Sequence, residues 1–221
     1  MNLDMIKQIR GYIGISLKED INIFDSFIER CKWYYEKPAH TITEIKMKQN
    51  TKIKGDVFEH FAYLYFRFVK KWYVWFLKDV PEDIKKYLGL RGQDLGIDLV
   101  AYNPQNQKYY PIQVKYRKFN QKSKTVLGWK QLSTFLALSS RTGPWQKYIV
   151  FTNAHYIRHG GRKTEKDWSI CLGTLRGIKR HDWESMMGYE PHNLDKSNNP
   201  TKTTKELSLD EIRKKRLERF Q

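Results

Sequence analysis

Cysteine is scarce in this chain, and long hydrophobic runs are missing. Cys31 and Cys171 are its two cysteines among 221 residues, too few to define a disulfide scaffold. The most apolar stretch, residues 63–77, is interrupted by three cationic side chains and makes a poor membrane span. No apolar segment typical of a secretory signal follows the first ten residues. We therefore expect an intracellular protein, in the cytoplasm or in the nucleus of a eukaryotic host, with no membrane partner.

Acidic residues are outnumbered by basic ones. The 41 Lys and Arg residues against 24 Asp and Glu give a net charge of +17 and a pI near 9.7. Such an excess suits a polyanion, because neutralised phosphates release counterions on binding. The same charge would also suit general solubility or attraction to an anionic membrane surface. A hydrophobic content of 40% with 14% aromatic residues indicates a folded core, and the length is sufficient for one.

Two short alternating segments, residues 96–103 and 108–116, flank the polar turn cluster 104–107. This pattern predicts a β-hairpin. An even loop makes the numbers of paired residues sum to 211, which places Asp98 opposite Gln113.

The same register places Lys115 opposite Gly96, so that Asp98, Gln113 and Lys115 share one side of the sheet. The other side then receives an apolar set: Ile97, Leu99, Ala101, Ile112 and Val114.

An acid, an amide and a lysine on one side of a sheet allow two interpretations. A solvated sheet face is the common fate of alternating polar residues. A metal-assisted hydrolytic site is the alternative, since a carboxylate can bind a hard cation such as Mg²⁺. A nearby ammonium can then stabilise the attacking hydroxide or the charge that builds on a phosphoryl oxygen. Gly96 leaves room for a close approach by a backbone or a ligand.

These residues resemble a known signature. Asp98 followed by Gln113-Val114-Lys115 is similar to the G-x-D … Q-x-K motif of PD-(D/E)XK nucleases, closest to their Mrr-like restriction endonuclease branch and the nuclease domains fused to restriction helicases. Glu59, in a G-x-x-F-E context, matches the early helical glutamate of the family. Residues 148–153 (YIVFTN) resemble the strand that follows the helix after Q-x-K. The resemblance covers roughly residues 54–153 and includes one departure: Gln113 replaces the second metal-binding acid, as in the Mrr-like branch.

The resemblance implies a Mg²⁺-dependent DNA endonuclease of restriction type, with Mn²⁺ able to substitute. Asp98 would hold the cation, helped by Glu59 and the backbone carbonyl of Val114. Lys115 would position the attacking water and stabilise negative charge, and Gln113 would orient water or fill a ligand position without adding charge. A structure-selective nuclease of recombination or repair, similar to a Holliday-junction resolvase, and a catalytically inactive DNA-binding module stay as alternatives. Homodimerisation and a motor or methyltransferase partner are further expectations from the family.

Basic and amide side chains around this hairpin are candidate DNA contacts, with a simply solvated surface as the alternative. They are Arg91, Gln93, Arg117, Lys118, Lys122, Lys124, Lys130, Arg158, Arg162 and Lys163. His155 and His159 with Cys171 suggest zinc, but the glycines after His159 favour loop histidines.

The order of elements predicts an α/β fold with a restriction-endonuclease-like core, a mixed central sheet flanked by helices, and helical additions at both ends. We expect an N-terminal helical extension at residues 1–50, the nuclease-like domain at 51–190, and a polar linker with a basic C-terminal helix at 191–221. No P-loop, helicase motif or internal repeat occurs, so we expect the nuclease part alone. Helical patterns cover residues 55–77, which run into the first strand, and residues 128–139.

Overall fold

A five-stranded mixed sheet forms the centre of the computed structural model, which describes residues 2–36, 51–90, 96–118, 124–161 and 163–188. Within these ranges the strands are β1 (Tyr73–Phe76), β2 (Leu99–Asn103), β3 (Lys108–Lys115), β4 (Val126–Gly128), β5 (Tyr148–Thr152), β6 (Tyr156–Arg158) and β7 (Asp167–Ile170). The central sheet has the order β1-β2-β3-β5-β7 and changes from antiparallel to parallel at β3. This arrangement confirms the predicted α/β class.

Helices cover both faces of this sheet. The α-helices are α1 (Leu3–Ser16), α2 (Ile23–Glu36), α3 (Thr51–Leu64), α4 (Glu82–Leu88), α5 (Ser133–Arg141), α6 (Leu172–Arg176) and α7 (Arg180–Met186). One core cluster joins α1, α2, α3 and α7 to the sheet face of Leu99 and Val114. A second cluster joins α4 and α5 to the face of Val100 and Val150. Because β3 is the middle strand, both of its faces are buried.

The first two helices contribute directly to the first core cluster. Phe27 of α2 lies 4.7 Å from Phe61 of α3, measured between ring centroids, and Phe61 stacks on Trp183 of α7 at 5.5 Å. Buried aromatic pairs of this kind contribute about 0.5–1.5 kcal/mol each beyond their area of burial. The domain boundary at residue 50 stays a prediction, and the C-terminal linker and helix lie outside the described residues. Within the described ranges, no helix is both long and apolar enough to cross a membrane.

The hairpin between β2 and β3 has the predicted register through most of its length. Leu99 pairs with Ile112 and Asn103 with Lys108, across the four-residue turn 104–107. The amide of Gln105 donates to Oδ1 of Asn103 at 3.0 Å, which stabilises the turn. The even loop that set the pairing sum of 211 is therefore confirmed.

The regular pairing of β2 with β3 ends at Asp98, the candidate catalytic acid. The amide of Asp98 donates to the carbonyl of Ile112 at 2.9 Å, although Ile112 is already the register partner of Leu99. Two residues facing one is the arrangement of a β-bulge. Ile97 consequently packs in the second core cluster, not with Leu99 as predicted. The expected pairings of Asp98 with Gln113 and of Lys115 with Gly96 likewise lie beyond the regular ladder.

Two helix boundaries differ from the sequence patterns. Helix α3 begins at Thr51 and continues as a π-helix, Tyr65–Val69, and Lys71 with φ 58° precedes β1. The aromatic and β-branched residues of β1 pair with β2, where such side chains are favoured over a helix. In the second case, residues 126–128 form β4 and a 3₁₀ turn precedes α5, which begins only at Ser133.

Candidate active site

Asp98 is held against strand β3 by its own carboxylate. Its Oδ2 accepts the backbone N–H of Val114 at 2.6 Å, a short hydrogen bond of the charge-assisted kind that an ionised acceptor forms. The side chain thus replaces the backbone acceptor that the bulge removes from the ladder. Asp98 is half-buried and lies beside the segment that carries Gln113 and Lys115.

Gln113 is a polar side chain inside the central strand. It is 3% exposed, and its Oε1 has no hydrogen-bond partner among the described residues. Leaving a buried acceptor unpaired costs about 1–3 kcal/mol, so an unsatisfied amide oxygen in a well-packed sheet is unusual and points to a bound partner. The interpretation of this strand as a solvated sheet face is therefore wrong. A water molecule or a cation is the kind of partner that this oxygen can accept.

Lys115 ends strand β3 and is half-buried. In the part of the chain that the structure describes, its ammonium forms no hydrogen bond or ion pair, whereas its backbone is fixed on both sides of the residue. A lysine that lacks a partner while its backbone is ordered is available to a bound anion.

Thr152 and Asn153, at the end of β5, fix the backbone around this lysine. The Thr152 hydroxyl donates to the carbonyl of Lys115 at 2.7 Å and accepts the amide of Ala154 at 3.1 Å. Oδ1 of Asn153 accepts the amide of Arg117, and its Nδ2 donates to the carbonyl of Arg117, both at 2.7 Å. Both side chains are almost completely buried, at 0% and 1% exposure. They form a polar clamp, Thr152 with Asn153, on residues 115–117.

Sequence reasoning identified the strand that contains this clamp but not its role. The signal was present in the Thr-Asn pair that ends YIVFTN, where two polar residues follow a run of apolar ones. The pairing that gives the clamp its target, β3 parallel to β5 with Lys115 opposite Thr152, depends on a crossover that local patterns do not reveal.

Gly96 is a site of close backbone approach, as expected. A Cβ at this position would stand 2.9 Å from the backbone nitrogen of Phe135 and 3.0 Å from its Cα. Gly96 also has φ +154°, a conformation that side chains disfavour. The backbone of α5 therefore packs directly against the loop that leads to Asp98.

Glu59 is half-buried on α3, the helix that packs in the first core cluster against the sheet face of Leu99 and Val114. The ring of the preceding residue, Phe58, lies 5.7 Å from Tyr116, which directly follows Lys115. This contact brings the helix turn of Glu59 to the end of β3. The role of Glu59 in holding a cation stays a prediction, as does that of the Val114 carbonyl.

His60, the next residue on α3, has a buried imidazole. Its Nδ1 lies 2.7 Å from the carbonyl of Asp56, to which the ring nitrogen donates. Burial lowers the pKa of His60 below its usual value, so the ring stays neutral at neutral pH. The ring packs 4.6 Å from Phe76, and we interpret it as part of the core.

The chemistry of the donor set fits a hard divalent cation. Asp98, Gln113 and the Val114 carbonyl offer only oxygen atoms, which Mg²⁺ prefers, and the cation usually retains several waters. Across the described ranges, no group of three His, Cys, Asp or Glu side chains is arranged to hold a metal. A site here would therefore rely on amide and carbonyl oxygens beside its acid, consistent with Gln113 in place of a second acid.

The zinc interpretation finds no support at His155. Nδ1 of His155 accepts the amide of Thr125 at 3.0 Å, and the His155 amide donates to the Thr125 carbonyl at 2.9 Å. The imidazole thus links two chain segments by hydrogen bonds.

Six of the ten candidate DNA contacts lie within the described residues. Arg117 is half-buried, and five others are exposed on the segments that follow β3 and β5: Lys118, Lys124, Lys130, Arg158 and Lys163. Four predicted contacts lie outside the described residues: Arg91, Gln93, Lys122 and Arg162.

One comparison with known proteins finds a match. A family model described as a restriction endonuclease, of the Mrr catalytic type, matches residues 65–193, more than half of the chain. The match contains Asp98, Gln113, Lys115 and the polar clamp, and it begins after Glu59. Neither the curated proteins nor the solved structures contain a match to this chain.

Proposed function

The chain belongs to the restriction endonucleases, in the Mrr-like branch of the PD-(D/E)XK nucleases, and on this basis we propose that it is a Mg²⁺-dependent endonuclease that hydrolyses DNA phosphodiester bonds. The nuclease class follows from the family, and the family acts on DNA. The observation that carries the proposal is the buried Oε1 of Gln113, which has no partner in the described parts of the chain. Gln113 stands two residues before Lys115 on β3, and the amide of the intervening Val114 donates to Asp98.

The residues of the proposed site would hold the cation, position the water and stabilise negative charge. Asp98 would hold the cation with help from Glu59 and the Val114 carbonyl, and Gln113 would fill a further ligand position or orient water. The bound cation supplies Lewis-acid stabilisation of charge on the phosphate. Lys115 donates hydrogen bonds to the attacking water and to the non-bridging phosphate oxygens, whose negative charge increases in the transition state. Gln113 contributes a neutral oxygen, so the site carries less negative charge to repel the phosphate than one with a second acid.

A plasmid-nicking assay with Mg²⁺, Mn²⁺ or EDTA tests the proposal. We expect nicked and linear products with either metal, no cleavage in EDTA, and recovery when Mg²⁺ is restored in excess. Undiminished cleavage in EDTA would contradict the metal dependence. DNA binding without cleavage under every metal condition would favour the inactive DNA-binding module. Preferential cutting of four-way junctions over linear duplex would favour the recombination nuclease instead.

Removing the hydroxyl of the polar clamp should slow the chemical step. We expect Thr152→Val to lower kcat by roughly 10- to 100-fold, because a small displacement of a catalytic group can cost about 100-fold in rate. KM should stay within about twofold, since DNA affinity depends on dispersed cations. Single-turnover kinetics at saturating DNA measure the effect.

Two further variants separate positioning from simple destabilisation. Thr152→Ser keeps the hydroxyl and should restore most of kcat. Ser26→Ala removes another buried and hydrogen-bonded hydroxyl, 2% exposed on α2 and donating to Oγ of Ser16 at 2.9 Å, and should leave kcat unchanged. Wild-type kcat in Thr152→Val would show that the clamp does not position Lys115, whatever the change in Tm.

A further inference from the structure

The charge of this chain is distributed unevenly. Between Asp98 and Glu165 there is no Asp or Glu, whereas residues 99–164 contain twelve Lys and Arg residues. Asp98 is therefore the last acid before a long cationic segment. A surface built from this segment alone has a positive potential, because the segment contains no acidic side chain to offset its cations.

A small two-stranded sheet, β4 with β6, is built entirely from this segment; we call it the β4–β6 ribbon. Strands β3 and β5 pair in parallel, and the chain segments that follow them pair in parallel again as β4 and β6. Only three residues separate Thr152 at the end of β5 from Tyr156 at the start of β6. The two hydrogen bonds between Thr125 and His155 join the segments just before the ribbon begins. Strand β6 thus follows closely after the end of β5, where Thr152 lies opposite Lys115, whereas β4 begins eleven residues after Lys115.

The ribbon has one buried face and one open face. Leu127 and Ile157, its central residues, are 0% and 9% exposed and belong to the second core cluster. Tyr156 and Arg158, which flank Ile157, point the other way and are exposed, the tyrosine at 43%. Opposite Arg158, a Cβ on Gly128 would meet no atom of the described chain within 4 Å. The open face therefore has space for a ligand beside an aromatic ring and a guanidinium.

We propose that the DNA strand flanking the scissile phosphate lies on the open face of the β4–β6 ribbon. Arg158 and the exposed Lys130, in the 3₁₀ turn that follows β4, contact phosphates, and the Tyr156 ring packs against a sugar or base. An exposed aromatic among cations is typical of nucleic-acid surfaces, where stacking and charge act together. The inference rests on the proposed function and deepens it, since it assigns the path of the substrate beyond the reacting bond.

Binding measured by fluorescence anisotropy in EDTA tests the inference without cleavage. We expect Arg158→Ala to weaken binding of a labelled duplex about tenfold and to reduce the slope of log K against log salt by about 0.9, the loss of one phosphate contact. Tyr156→Ala should also weaken binding about tenfold but leave the slope unchanged, because stacking is a neutral interaction. A labelled single strand of the same sequence shows whether the ribbon prefers unpaired bases.

Two control variants match these changes elsewhere. Lys147 is exposed, belongs to the same acid-free segment, and stands just before β5, at its opposite end from the ribbon. Tyr87, 59% exposed on α4, provides an exposed tyrosine outside the segment. Lys147→Ala and Tyr87→Ala should each bind DNA within about twofold of wild type, as surface changes away from a contact do.

The outcomes separate this inference from the proposed function. Equal affinities for the ribbon variants and their controls, all folded by thermal melting, would overturn the path across the ribbon while leaving the nuclease intact. A wild-type protein that neither binds nor cuts DNA would overturn both. A loss of affinity in Tyr156→Ala together with a reduced salt slope would contradict the neutral contact assigned to that ring.

Discussion

Asp98→Asn is expected to lower the rate of DNA cleavage by about 10³-fold or more, while DNA affinity stays within about twofold. The loss follows from removal of the negative charge that we assign to the cation. Affinity should survive because it comes from cations spread over the surface. Single-turnover cleavage and anisotropy on the same preparations measure the two quantities.

The choice of asparagine separates the chemical role of Asp98 from its structural one. An amide oxygen can still accept the Val114 amide, as Oδ2 of Asp98 does at 2.6 Å. Alanine cannot, so Asp98→Ala should lose activity equally and should also lower Tm, because a buried N–H is left unpaired. Cleavage at wild-type rate by a purified Asp98→Asn protein would refute the assignment of this residue. Weaker binding of Mn²⁺ to Asp98→Asn, followed by its paramagnetic signal, provides a readout independent of activity.

Much of this site could be predicted from the hairpin, because its register depends on local features. An even turn and two alternating segments were sufficient to align Leu99 with Ile112. Gln113 and Lys115 follow on the same strand, two residues apart, and so share a side of it by the period of a β-strand. Local periodicity could not show that Gln113 would be buried. The strand that pairs with β3, β5, and the helix that packs on the sheet, α5, both come later in the chain.

The bulge at Asp98 marks where this reasoning stops. A strict alternation placed Ile97 beside Leu99, but the extra residue at the bulge moves Ile97 into the other core cluster. At the bulge, Oδ2 of Asp98 accepts the Val114 amide in place of a backbone carbonyl. Bulges are frequent next to active sites, where they redirect a side chain. No pattern of hydrophobic residues encodes that exchange.

The polar clamp and the ribbon were missed for a different reason. Each depends on parallel pairing between residues far apart in the chain, 37 positions for Lys115 with Thr152 and 30 for Val126 with Tyr156. Such pairing needs a crossover whose course is set by the packed helices. In sequence, the helical pattern of residues 128–139 takes in the last residue of β4, and residues 156–158 resemble a basic loop. Only their mutual pairing makes them strands.

Lys115→Met is expected to lower kcat by about 10²- to 10³-fold, the usual cost of removing one donor that stabilises transition-state charge. Methionine retains the length and apolar stem of lysine, so the half-buried site should stay filled. Lys115→Arg should restore little, since the wider guanidinium presents its donors in a different, planar geometry.

The matched control for this variant lies on the same strand. Lys108 begins β3 as Lys115 ends it, and Lys108 is exposed. Lys108→Met makes the same change in net charge and composition, so it should leave kcat within about twofold of wild type, as surface substitutions do. If both variants lost activity equally, the effect would come from net charge and Lys115 would have no specific role. If Lys115→Met cut DNA at the wild-type rate, the charge on the phosphate would need another donor. Arg117 is one candidate, because the same clamp holds its backbone two residues further along the chain.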